Sequence, residues 1–261
     1  NQTVADALWH SAIHLEDYYT GTLAINADIT TALQLAIDAG AARVADIGGI
    51  AKVFIPAGYY FMLSATITIP AGVVVVGAGK LKTNLRRTGN YGNTFVVGTA
   101  NPAANVECAG IVDLCIFHDH GGGRTPSLDP ASWVNPVTGN PAHIIAYTPV
   151  GCIFENLNLY CLTYSMVIQG GSLSVIDNID TYGVWDDANA VMQESLAGLV
   201  IDQNAGVTGS IPTWHTIRNS RFGGMTRPGS TLTYAGGFTK TSTKNLGAVN
   251  GIAIFAAESL V

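Results

Sequence analysis

The sequence predicts an all-β chain, a right-handed parallel β-helix closed at one end by a capping helix. Three observations predict it. Charged residues make up 11% of the chain and hydrophobic ones 48%, a mix that folds and leaves a surface of neutral polar groups. Short β-branched runs are cut again and again by Pro and Gly. Two short motifs alternate along the chain, and their closest full repeat, Phe154 to Ile176, is 22 residues, within the range of stacked repeats.

The elements follow in order. Residues 1–27 read as a polar, aromatic lead-in. From Asp28, apolar residues fall at Ile29, Ala32, Leu33, Ala36 and Ile37, the spacing of a helix. Asp28 can cap it, and Gly40 or Gly48-Gly49 can end it. A strand near Lys52–Ile55 then runs into Pro56-Ala57-Gly58, a second at 66–69 into Pro70-Ala71-Gly72, and a third at 73–76 into Gly77-Ala78-Gly79. Residues 28–79 therefore hold the cap and the first strands, and 80–261 the later coils.

The recurring motifs lie in that second part. The first comprises 111–116, 154–159, 176–181 and 217–222; the second comprises Ile144-Ile145-Ala146, Met166-Val167-Ile168, Leu199-Val200-Ile201 and Ile252-Ala253-Ile254. Stacking puts Asp113, Asn156, Asn178 and Asn219 in one column, predicted to form a ladder at a bend, because Asp and Asn side chains bond nearby backbone and tolerate unusual dihedrals. That structural duty accounts for the column without catalysis. Long inserts at 117–142, 182–197 and 223–250 gather at one corner, where they would wall a groove. The chain opens at Asn1 with no Met or signal-peptide pattern, so a native start is expected to be missing. The apolar strand near Val261 carries no cap, so the solenoid is expected to continue or to meet a partner there.

Composition narrows the function. With 12 basic and 18 acidic residues the formal charge is −6, and no Lys/Arg cluster offers a nucleic acid a footprint. No apolar run is long enough for a membrane helix. Cys108, Cys115, Cys152 and Cys161 lack a C-x-x-C pattern, and are expected to be buried free thiols. No phosphate-binding Gly loop or nucleophile elbow is present, and no cofactor or metal is expected.

Three groups of residues could carry chemistry. Trp185-Asp186-Asp187 sets an aromatic face beside two carboxylates, which suits a sugar and an acid/base pair; the competing reading is a solvated turn. His118-Asp119-His120 opens the first long insert, and Trp133 follows in its Pro-rich stretch; H-x-H alone is a weak metal signal, so His118, Asp119 and Trp133 are taken as substrate-binding candidates. Outward positions on successive coils stack Glu155 with Asp177 and Arg218, and Asn158 with Asp180 and Arg221. Strands spaced about 4.8 Å apart would make Glu155, Asp177 and Asp180 catalytic candidates, with one carboxyl raised by its neighbour. Arg218 and Arg221 would then bind substrate; the competing reading is an ion-paired surface ladder.

The N-terminal third, from the Asp28 helix through Val53-Phe54-Ile55-Pro56-Ala57-Gly58-Tyr59-Tyr60 and Ile67-Thr68-Ile69-Pro70-Ala71-Gly72 to Gly79, resembles the opening of the pectate-lyase-like β-helix superfamily. The match departs upstream, where 23–28 lacks the Gly- and Asp-rich phrase common in relatives. Within the superfamily, low charge and abundant Gly, Thr and Asn most resemble bacteriophage tailspikes. That resemblance implies a homotrimeric virion protein, in contact with other tail proteins, that binds and cleaves bacterial polysaccharide by glycoside hydrolysis. A non-catalytic adhesion module and a secreted polysaccharide hydrolase or lyase are the alternatives.

Overall fold

The computed structural model describes residues 12–88, 93–99, 104–118, 142–160, 164–182, 184–186, 191–193, 197–202, 212–222, 231–233, 239–241, 250–254 and 259–260. One helix, α1 (Thr30–Ile47), precedes most of the strands. Asp28 accepts hydrogen bonds from the Thr30 amide at 3.0 Å and the Thr30 hydroxyl at 2.6 Å, anchoring the helix start. Gly48 ends it at φ 71°, a left-handed conformation that glycine adopts without steric cost. Gly40 lies inside the helix, buried on the side that faces Ala51 and Val53. Ala32, Leu33, Ala36 and Ile37 are buried, so the predicted face is the one that covers the sheet end.

The strands are β1 (Ile13–His14), β2 (Ala51–Ile55), β3 (Gly58–Leu63), β4 (Ile67–Ile69), β5 (Val73–Gly77), β6 (Thr83–Arg87), β7 (Phe95–Val97), β8 (Val106–Glu107), β9 (Gly110–His118), β10 (Ala142–Tyr147), β11 (Pro149–Val150) and β12 (Ile153–Tyr160). They continue as β13 (Tyr164–Gln169), β14 (Val175–Tyr182), β15 (Val184–Asp186), β16 (Val191–Gln193), β17 (Ala197–Asp202), β18 (Thr213–Arg218), β19 (Arg221–Phe222), β20 (Thr231–Thr233), β21 (Thr239–Thr241), β22 (Asn250–Ile254) and β23 (Ser259–Leu260).

Among the described residues, two parallel sheets dominate. The larger runs β1-β2-β5-β9-β12-β14-β18-β23, with β3 and β6 joining at β9 and β19 at β14. The other runs β22-β17-β13-β10-β7-β4. The chain visits the larger sheet, then the other, then the larger again, and each strand pairs with its counterpart one circuit on. The chain is thus mostly β with parallel sheets, an arrangement consistent with a parallel β-helix. The two insert hairpins, β15 with β16 and β20 with β21, are antiparallel, where the sequence predicts only loop inserts.

Side chains between the sheets form one core. Phe154 stands opposite Ile176, Leu157 opposite Ile179, and Ile144, Met166 and Leu199 line up across three strands, all fully buried. Each such side chain contributes about 1.5–3 kcal/mol of hydrophobic stabilisation. Stacking leaves no room beside Gly110, where a Cβ would strike the Ile153 carbonyl of the next circuit.

Each long strand of the larger sheet bends at a residue with positive φ: Asp113 at 61°, Asn156 at 54°, Asn178 at 51° and Asn219 at 51°. The Asn156 amide donates to Asp113, and the Asn178 amide donates to Asn156 at 3.0 Å. The predicted ladder therefore holds for three rungs. At the fourth the Asn219 amide turns aside and donates to Asp177 at 3.0 Å. The thiols also depart from expectation: Cys115 and Cys152 are buried and free, but Cys108 is exposed. Cys108 sits at φ 52° on the opposite corner, where the side chain faces outward. Cys161 lies outside the described residues.

Candidate functional site

The bend column divides the outer surface of the larger sheet into two arms. On the first arm, β12, β14 and β18 bring Glu155, Asp177 and Arg218 into register. On the second, Asn158, Asp180 and Arg221 align across β12, β14 and β19. Alternation along each strand turns these residues outward while Phe154, Leu157, Ile176 and Ile179 fill the core.

The carboxylates are held by cations. Arg218 Nε donates to Asp177 Oδ2 at 2.8 Å, and Arg221 Nε donates to Asp180 Oδ1 at 2.6 Å. Lys80 Nζ reaches Asp180 Oδ2 at 2.7 Å and the Asn178 carbonyl at 2.9 Å. The Asn219 amide and then the Arg218 guanidinium outweigh partial burial and hold the Asp177 carboxyl below the usual range. Burial pushes the Asp180 carboxyl up, but bonds from Arg221 and Lys80 outweigh it and bring it below the usual range. The expected raised carboxyl is therefore absent from both aspartates, because each stacked acid meets a base before it meets another acid. Glu155 is exposed beside Asp177 and makes no ion pair among the described residues.

The rest of the second arm is closed. Asn84, Cys115, Asn158 and Asp180 face outward yet are all buried. Lys80 lies along this column: its charge acts on the Cys115 thiol and its ammonium ends on Asp180. Burial is the larger influence on Cys115 and pushes its thiol up to about 12, so it stays protonated and unreactive. Farther out, Phe117 stacks on Tyr160 at 4.6 Å and meets Tyr60 at 5.4 Å. These rings pack one above another between strands, which accounts for them as sheet packing.

At the insert corner, β15 places Trp185 opposite Met192 and Asp186 opposite Val191. His118 ends β9 opposite Arg87. Asp187, Asp119, His120 and Trp133 lie outside the described residues. No metal-holding cluster of His, Cys, Asp and Glu occurs among the described residues, and no described helix is long and apolar enough to cross a membrane.

One residue escaped the sequence reading. Trp214 begins the outward row of β18, at φ 53° and 62% exposed. Aligning the circuits by the bend column places it in a column with Cys108, Gly151 and Leu173, all with positive φ. Two members of that column, Leu173 and Trp214, are bulky and apolar, each five residues ahead of the Asn at its bend, and that recurrence is the signal the sequence carries for them.

Comparison with protein-family models and with curated proteins finds no match. Solved structures do match. The tailspike protein of E. coli bacteriophage HK620 in complex with pentasaccharide aligns at TM-score 0.59 and 15% identity, over 83% of this chain and 36% of that one. A variant of that tailspike, also in complex with pentasaccharide, aligns at TM-score 0.56 and 15% identity, over 83% of this chain and 40% of that one. ORF18 of Geobacillus virus E2 aligns at TM-score 0.49 and 14% identity, over 87% of this chain and 44% of that one. The likeness to the tailspike is one of fold, and this chain spans little more than a third of that protein's length.

Proposed function

We propose that this chain is the right-handed parallel β-helical body of a phage tailspike-like protein that binds and cleaves bacterial surface polysaccharide, capsule or O-antigen. The observation that carries the reading is the match of 83% of the chain to the fold of a tailspike solved with a pentasaccharide. In this reading the protein works on the virion tail as a homotrimer, beside other tail proteins. The inserts at 117–142, 182–197 and 223–250 wall the groove, with His118, Asp119, Trp133 and Trp185 as sugar contacts.

Hydrolysis needs two carboxyl groups, one to stay charged and one to exchange a proton. Asp177 suits the first role, because Asn219 and Arg218 favour its ionised form. Glu155 in the neighbouring strand suits the second. The two residues are in register on adjacent strands, which places both carboxyls on one face, as a hydrolytic pair requires. Asp186 and Asp187 form the competing pair, with Asp180 a third acid held by two cations.

Reducing-end release from a panel of capsules and O-antigens tests the reading, with ultraviolet absorbance followed for the unsaturated product of a lyase. Release without absorbance is expected. Glu155→Gln and Asp177→Asn should each lower the rate by at least about a hundredfold, the usual scale for a lost acid/base group. If instead Asp186→Asn and Asp187→Asn abolish release and the first two do not, the chemistry belongs to the insert. A second reading, glycan adhesion without cleavage, is favoured by the cation clamps on Asp177 and Asp180. Retention of a glycan without release would establish it, and retention of none would overturn both.

A further inference from the structure

We propose that the row Trp214, Thr216 and Arg218 on the outer face of β18 is a saccharide-binding row, with the Trp214 indole as its stacking platform. The inference rests on the glycan-binding reading above and adds to it a residue and a surface away from the insert corner.

Three observations carry it. First, Trp214 stands where a bulky residue is costly. Its φ of 53° lies in the left-handed region, at a cost of about 1–3 kcal/mol for an ordinary side chain. In the same column Gly151 adopts φ 61° and Gly72 of an earlier circuit φ 73°, so the corner is readily made by glycine. Second, Trp214 leaves most of its surface in solvent, being 62% exposed, so packing offsets little of that cost. It is the extra residue of a bulge, since Thr213 pairs with Ser259 and His215 with Leu260. A bulge of this kind re-aims one side chain.

Third, its surroundings suit a sugar. His215 is buried and Ile217 packs against the core, which leaves Trp214, Thr216 and Arg218 on the outer face. The row begins with an aromatic face, passes a hydroxyl and ends at a guanidinium. Arg218 is held by its Nε to Asp177, with its side chain 61% exposed. Glu155, two strands from Arg218, supplies an exposed acceptor. A pyranose offers an apolar C–H face to an aromatic ring and hydroxyls to charged groups, whose hydrogen bonds are the stronger kind. A wholly apolar docking face would have no use for the charged end.

The test is retention on a printed array of purified capsular polysaccharides and O-antigens, read beside thermal melting. Trp214→Ala should weaken binding to every retained glycan by about tenfold, the scale of losing an interface anchor. Trp214→Gly should weaken it equally but raise the melting temperature, because glycine removes the backbone strain. Weaker binding together with a higher melting temperature supports the proposal. Unchanged binding by both variants, while the wild-type chain retains glycans, overturns this row and leaves the glycan reading intact. Retention of nothing by the wild-type chain overturns the glycan reading and this row with it. A changed oligomeric state with unchanged glycan binding makes Trp214 a protein contact and likewise overturns the row.

Discussion

His215 sets an acid limit on the corner that displays Trp214. The ring is fully buried; its Nδ1 accepts from the Ser174 amide at 3.3 Å and its Nε2–H donates to the Gly170 carbonyl at 3.2 Å. Both nitrogens are satisfied by the neutral ring, and burial holds its pKa below the ordinary 6.5 despite the Gly170 bond. Protonation would force Nδ1–H against an amide that is itself a donor. A depressed folded pKa gives stability that is fully present above 6.5 and is lost as pH falls through the lower folded value. Melting temperature should therefore fall as the pH drops below 6.5. His215→Leu should melt lower at neutral pH but lose that slope, as thermal melts across the range would show. An unchanged slope would assign the acid sensitivity to another group.

At the scale of the element, the bend column decides whether each long strand can turn. Asn178 holds φ at 51°, donates to Asn156 and accepts from Lys80. Asn178→Ala loses both side-chain bonds and keeps the left-handed strain, a cost of about 2–3 kcal/mol. Asn178→Gly loses the bonds but not the conformation, so it should destabilise less. Urea melts that ranked glycine below alanine would move the bend's stability from conformation to packing. This column was legible in the sequence because Asp and Asn announce a bend by their chemistry. The cap helix and the strands at 51–55, 67–69 and 73–77 were legible too, through apolar spacing and the Pro-Ala-Gly breaks. Other features left no such mark. Gly40 offers a helix end by its chemistry, yet the helix runs through it to Ile47. Leu173 and Trp214 adopt positive φ against their own preference, so propensity points away from the corner they form. The register of Glu155, Asp177 and Arg218, and of Asp180 with Arg221, followed from the repeat, but not the second cation on Asp180, since Lys80 lies 100 residues away in sequence.

At the scale of the whole molecule, that distant lysine alters how the stack should unfold. A solenoid is held by contacts between adjacent circuits, and its cooperativity decays with distance. Lys80, just ahead of β6, bonds to β14, skipping β9 and β12. Three strand spacings, about 14 Å, are bridged by one side chain and the turn that carries it. Lys80 and Asp180 are 15% and 12% exposed in their side chains, so the pair is screened far less than a surface bridge. Arg221, on the far side of Asp180, is 78% exposed in its side chain and gives less. Lys80→Met keeps an apolar stem of similar length but leaves Asp180 with Arg221 as its cation, a loss of about 1–2 kcal/mol. A loss in adjacent-circuit packing alone would lower the melting temperature and leave the transition sharp. Removing a strap that ties nonadjacent circuits should also broaden it, because the early and late circuits then open separately. Hydrogen exchange locates the difference: amides of β14 should lose protection in Lys80→Met while those of β5 keep theirs. Equal loss at both strands would mean that the lysine only fills space and that the stack is already cooperative without it.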